Sequence, residues 1–105
     1  RYPLPIMITE NGVADSAGVH RPMFVRQHAY AVKKAIEEGI DVRGFFHWSL
    51  MDNFEWTEGF GARFGLYRMD RATQARTPAA GWEEFRRLAP LEPTDAHVRP
   101  GVTAR

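Results

Sequence analysis

The apolar run Pro5-Ile6-Met7-Ile8-Thr9 lies between Pro3 and the turn pair Asn11-Gly12, a pattern that predicts a short strand buried on both faces. Glu10 falls at the C-terminal end of that strand. From Arg21 to Glu38 the positions Phe24, Val25, His28, Ala29, Val32, Ala35 and Ile36 recur at helical spacing. Pro22 suits a first helical turn and Gly39 a C-terminal stop. Ile40 to Ser49 reads as a loop leading into a second buried strand, in which Gly44 leaves room for close packing. Strand, helix, strand in this order is the crossover of a parallel βαβ unit, which belongs in a sheet covered on both faces or in a closed barrel.

Leu50 to Thr77 is a long connection rich in aromatics and charge, broken by Gly59, Gly61 and Gly65, with a hairpin expected near Phe64 to Tyr67. A loop of that length is functional or poorly ordered. Thr77-Pro78 has the pattern of an N-cap followed by a first-turn proline. Trp82, Phe85 and Leu88 then line one face of a second helix ending before Pro90. Residues 91–105 have no periodicity, carry Pro93, Pro100 and Gly101 among polar residues, and are read as a flexible tail. The chain contains no internal repeat and no apolar run of transmembrane length.

Composition narrows the function class. The net charge is +1, so there is no electrostatic reason to expect nucleic acid or anionic lipid as a partner. There is no cysteine, and His20, His28, His47 and His97 have no paired ligand spacing, so neither a thiolate site nor a metal is implied. The first residue is Arg1, with no signal-type core behind it. The chain is therefore expected to begin inside a longer protein, and a cytoplasmic location is the default reading.

If both strands belong to one parallel barrel, their C-terminal ends and the following loops share a face. Glu10 marks the first end and Trp48 the second. The loop beyond adds Asp52, Asn53, Glu55, Trp56, Glu58 and Phe64. Carboxylates that accept hydrogen bonds from hydroxyls, beside indoles that stack on apolar ring faces, suit sugar and suit phosphate poorly. Each residue also has an ordinary reading. Thr-Glu-Asn-Gly ends in a common turn pair, Trp48 could be core, and loop glutamates are usually solvated. His28 fits a structural histidine, and His47 could point either way.

The ordered set Ile8-Thr9-Glu10-Asn11-Gly12, Arg43 through Trp56, Arg63-Phe64-Gly65-Leu66-Tyr67 and Arg76-Thr77-Pro78 closely resembles glycoside hydrolase family 1, over about residues 5 to 90. The resemblance implies an α/β chain forming the last two strand-helix units of a (β/α)8 TIM barrel, with residues 1–90 in the catalytic domain. It implies a β-glucosidase-like retaining hydrolase without cofactor, with β-galactosidase or β-fucosidase activity as close variants. By the same resemblance, Glu10 is the catalytic nucleophile and Trp48 stacks beneath the sugar. Glu55 binds two glycone hydroxyls, Trp56 donates to another, and Phe64 closes the pocket. The Glu55-Trp56 pair implies an unphosphorylated glycone.

Two departures from the family pattern stand out. The Asn11–Arg21 stretch is short, with Gly18 where the family often has an aspartate, and the Pro78–Trp82 segment is compressed. The family's acid/base glutamate belongs to an Asn-Glu-Pro motif, and the chain has none. The expected partners are therefore a β-glycoside and the remaining N-terminal part of the barrel, and the chain alone is expected to be inactive. A carbohydrate-binding pseudoenzyme with the same barrel, a thioglycoside hydrolase with a neutral residue at the acid/base position, and a small autonomous α/β module are the alternatives.

Overall fold

The computed structural model describes residues 3–89. Strand β1 spans Ile6–Asn11, helix α1 Arg21–Glu37 and strand β2 Val42–His47. The two strands pair in parallel, Ile6 opposite Val42, Ile8 opposite Phe45 and Asn11 opposite His47, as the strand-helix-strand pattern required. Register irregularities occur after Ile6 and between Ile8 and Asn11. Helix α1 has proline in its first turn, and Gly39 follows it with φ +83°. The Gly39 amide donates to the Ile36 carbonyl and the Ile40 amide to that of Ala35, so the reversal closes the last turn.

The remainder departs from the sequence expectations in three places. Strand β1 runs on through Glu10 and Asn11, and it is not buried on both faces: Met7 is 56% exposed. One face of the β1–β2 sheet lies towards the helices, whereas Met7, Gly44 and Phe46 share the other, where a methyl at Gly44 would lie 3.1 Å from Met7 Cγ and 3.4 Å from Phe46 Cε2. Among the described residues nothing buries Phe46, which is also 56% exposed.

The hairpin lies later than expected. It pairs β3, Tyr67–Met69, with β4, Arg76–Pro78. Asp70 builds its turn by accepting from the amides of Ala72 and Thr73 and the Thr73 hydroxyl. Thr77 and Pro78 therefore belong to a strand rather than to a helix start, because pairing with Arg68 and Tyr67 outweighs the local capping pattern. Helix α2 is Trp82–Leu88, and its N-cap is Gly81, at φ +94°. Its Trp82 ring lies 4.9 Å from that of Tyr67 and its Phe85 ring 5.7 Å from His47. The expected tail, residues 91–105, lies outside the described residues.

The buried interior is small and partly polar. Val25 and Leu66 are its apolar members among the described residues, beside Asp15, Arg21 and Ser49. Burying charge is costly unless its donors and acceptors are matched, and here backbone makes most of the match, leaving Arg21 Nε without a partner. The Asp15 carboxylate accepts from the amides of Gly18, Val19, His20 and Arg21, capping α1 in place of His20, whose side chain makes no cap bond. Burial alone would push the Asp15 carboxyl up, but the four amides outweigh it and hold the group below its ordinary value.

Candidate active site

The two strand ends meet as the parallel topology dictates. The Trp48 amide donates to the Asn11 carbonyl at 3.0 Å, so Glu10 and Trp48 stand at the same end of neighbouring strands. The Glu10 side chain is exposed, and among the described residues no hydrogen bond ties it down. Trp48, 36% exposed, donates from Nε1 to Glu55 Oε1 at 3.1 Å. That bond joins the indole to a carboxylate seven positions further along the chain.

Glu55 opens a tight loop. Its amide donates to the Gly59 carbonyl at 2.7 Å, and the Glu58 amide donates back to the Glu55 carbonyl at 2.9 Å. Between them Trp56–Glu58 form a single 3₁₀ turn. Trp56, at φ 46°, is 85% exposed. Phe64 is half-buried, and its carbonyl accepts the Ser49 amide at 3.3 Å, fastening it to the residue after Trp48. The structure thus brings Trp48 and Glu55 into contact, sets Glu10 on the adjoining strand and ties Phe64 to the same strand end.

Other groups complete this region. The Asp52 carboxylate accepts the Gly65 amide at 3.0 Å through Oδ1, while Oδ2 faces Arg63 at 3.6 Å, an ion pair too long for a hydrogen bond. His47, left open from sequence, turns towards the helices. Burial pushes its pKa below 6.5; the Phe64 carbonyl near the ring opposes that shift and the Arg21 charge adds to it. His28 is structural, with Nδ1 2.9 Å from the Phe24 carbonyl. No group of metal-binding side chains occurs among the described residues.

Sequence reasoning missed Arg21. It is 2% exposed, and its guanidinium donates to the carbonyls of Asp15 (3.0 Å), Gly65 (2.9 Å), Ala80 (3.4 Å) and Arg63. An arginine at the first position of a helix, where a cation opposes the dipole, was the available signal.

The family model for glycosyl hydrolase family 1 matches residues 1–88. The chain belongs to this family. It is 51% identical over 74 residues to a β-galactosidase of Sulfolobus acidocaldarius, an alignment covering 70% of this chain and 15% of that protein. It is 44% identical over 101 residues to a bifunctional β-D-glucosidase/β-D-fucosidase of Bifidobacterium breve, covering 83% of the chain and 22% of the relative. Among solved structures it superposes on the hyperthermophilic β-glucosidase of Pyrococcus furiosus with a TM-score of 0.79 and 48% identity, over 83% of this chain and 18% of that one. The chain thus spans less than a quarter of the length of these family 1 relatives. Among the described residues, no helix is long and apolar enough to cross a membrane.

Proposed function

We propose that this family 1 chain supplies the last two strand-helix units of a (β/α)8 barrel that hydrolyses terminal β-D-glycosides, chiefly β-glucosides, with retention of configuration. The observation that carries the reading is the junction of strand ends: Glu10 beside a Trp48 whose indole is already bonded to Glu55. Trp48 offers the apolar floor for a pyranose ring. Glu55, with Oε1 taken by the indole, keeps Oε2 for a sugar hydroxyl, Trp56 adds an exposed indole donor, and Phe64 forms the wall.

Retaining hydrolysis uses two carboxyl groups roughly 5–5.5 Å apart, one attacking the anomeric carbon while the other protonates the leaving oxygen and then activates water. Glu10 is the attacking group in this proposal. Glu55 is engaged as an acceptor by Trp48, which suits glycone binding better than proton delivery, so the acid/base carboxyl comes from the rest of the barrel. The exposed Met7 and Phe46 face and the open strand edges are what six further strands would cover.

Two measurements test this proposal. The 105-residue chain alone is expected to show no β-glucosidase activity; turnover by the purified monomer would overturn the assignment of the acid/base to another segment. In a chimaera, residues 3–89 replace the matching segment of the Pyrococcus furiosus β-glucosidase. A 2-deoxy-2-fluoro-β-glucoside is then expected to label Glu10, as located by peptide mass spectrometry. Label on another residue refutes the nucleophile; a folded chimaera that takes no label favours a binding protein.

A further inference from the structure

We infer that Arg21 is a positioning residue of the proposed site, acting through Phe64. The inference rests on the glycosidase reading above, and its physical basis is the occupation of three consecutive carbonyls. Those of Arg63 and Gly65, on either side of Phe64, both accept from the Arg21 guanidinium. The Phe64 carbonyl between them accepts from the Ser49 amide, two residues beyond the end of β2. Phe64 is therefore pinned on one side by Arg21 and on the other by the strand that carries Trp48.

The same guanidinium reaches the segment after Glu10. It donates to the Asp15 carbonyl at 3.0 Å, and the Asp15 amide donates to the Arg63 carbonyl at 2.9 Å. Its fourth acceptor, Ala80, precedes α2. One side chain thus locks the loop after the first strand to the pocket wall and to the last helix. Only a planar fork of five donors spans acceptors spread this widely; a lysine ammonium presents three donors at a point, and an apolar residue presents none. Arg21 points into the interior and touches no residue of the Glu10, Trp48 and Glu55 group, so it acts on substrate through the backbone it holds. A displacement of about 1 Å in a positioned group can cost on the order of a hundredfold in rate.

The test uses the chimaera, with kcat/KM expressed per active site titrated by the fluoroglucoside. A role confined to stability would lower the number of titratable sites and leave the constants per site unchanged. Arg21→Lys is expected to lower kcat/KM per site at least tenfold, and that loss is expected to shrink at least threefold when measured in a Phe64→Ala background. A smaller loss, or one of equal size in both backgrounds, overturns the inference. Should Arg21→Lys leave no titratable sites, Asp15→Asn, which loosens the Asp15 anchor and keeps the guanidinium, is measured in the same two backgrounds against the same thresholds. A parent chimaera that takes no label overturns the glycosidase reading itself, and the inference with it; a labelled parent with unaffected variants overturns the inference alone.

Discussion

Gly12→Ala is the substitution for which the structure gives the sharpest expectation. In sequence, Asn11-Gly12 reads as a turn pair. Gly12 is not among the residues at positive φ. It is needed because the chain of β2 passes against it. A methyl there would fall inside contact distance of the Trp48 carbonyl oxygen and 2.8 Å from its carbon, where non-bonded carbons rest at about 3.5–4.0 Å. The two backbones would have to part by about 0.7 Å to clear that carbon and by more to clear the oxygen. The Trp48-to-Asn11 bond, 3.0 Å long, lies at that point and would stretch beyond hydrogen-bonding range.

Losing that bond costs about 1 kcal/mol and the overpacking about 1–3 kcal/mol, so Gly12→Ala should destabilise by about 2–4 kcal/mol. Gly39 provides the opposite case, at φ +83° with nothing within 4 Å of an added methyl. Gly39→Ala should cost only about 1–2 kcal/mol. Asparagine, which tolerates left-handed backbone, should recover part of that at Gly39 and nothing at Gly12. Urea denaturation of the chimaera and its two variants measures the difference, and kcat/KM per titrated site should fall for the Gly12 variant alone. A Gly12→Ala protein as stable as the parent, or less affected than Gly39→Ala, would refute the close-approach argument.

Three further outcomes are expected. Glu55→Ala in the chimaera should lower kcat/KM about 10- to 100-fold, the worth of one charge-assisted hydrogen bond of about 1.5–3 kcal/mol, while the fluoroglucoside still labels Glu10; loss of labelling in a folded variant would contradict a binding role. Asp15 has a folded pKa held below 3.8, so the stability it contributes is present above that value and lost as pH falls through the folded pKa. Asp15→Asn should flatten the acid limb of a denaturation-midpoint profile, and an unchanged limb would count against the four-amide cap. His47 is held neutral, its pKa pushed below 6.5, so folding must expel a proton once pH drops below that value. Stability should then fall between that value and the folded pKa, with a slope of at most about 1.4 kcal/mol per pH unit, and His47→Gln should remove this component; a parent and variant with parallel profiles would refute it.

The division between what sequence revealed and what it did not follows the range of the interactions. Helix α1 and the β1–β2 pairing were legible because apolar periodicity, Pro22 and Gly39 all act within a turn or two of the residues they govern. Trp48 and Glu10 at neighbouring strand ends followed from the parallel order alone, although the hydrogen bond from Trp48 to Glu55 did not. Thr77-Pro78 misled because a capping pattern is a local preference, and pairing with β3 overrides it. Asp15 and Arg21 were silent. Asp15 lies six positions ahead of the helix it caps, outside the usual capping spacing, and the acceptors of Arg21 lie as far as 59 positions away.

Burial was the other quantity the pattern could not deliver, and here the mismatch itself carries information. An unbroken apolar run says that a strand is suited to cover on both faces; it does not say which chain supplies the cover. Met7 and Phe46 have the side chains of an interior layer and the exposure of a surface, while Arg21, a surface type, is nearly inaccessible. The polar half of the structure is held largely from within, the segments around Asp15, Phe64 and Ala80 by Arg21 and Asp15 and the hairpin turn by Asp70, whereas the apolar sheet face carries exposed Met7 and Phe46. That combination supports the proposal that the chain is a segment of a larger barrel, in which the proposed site loops are ordered by contacts within the segment and the sheet face is buried by further strands.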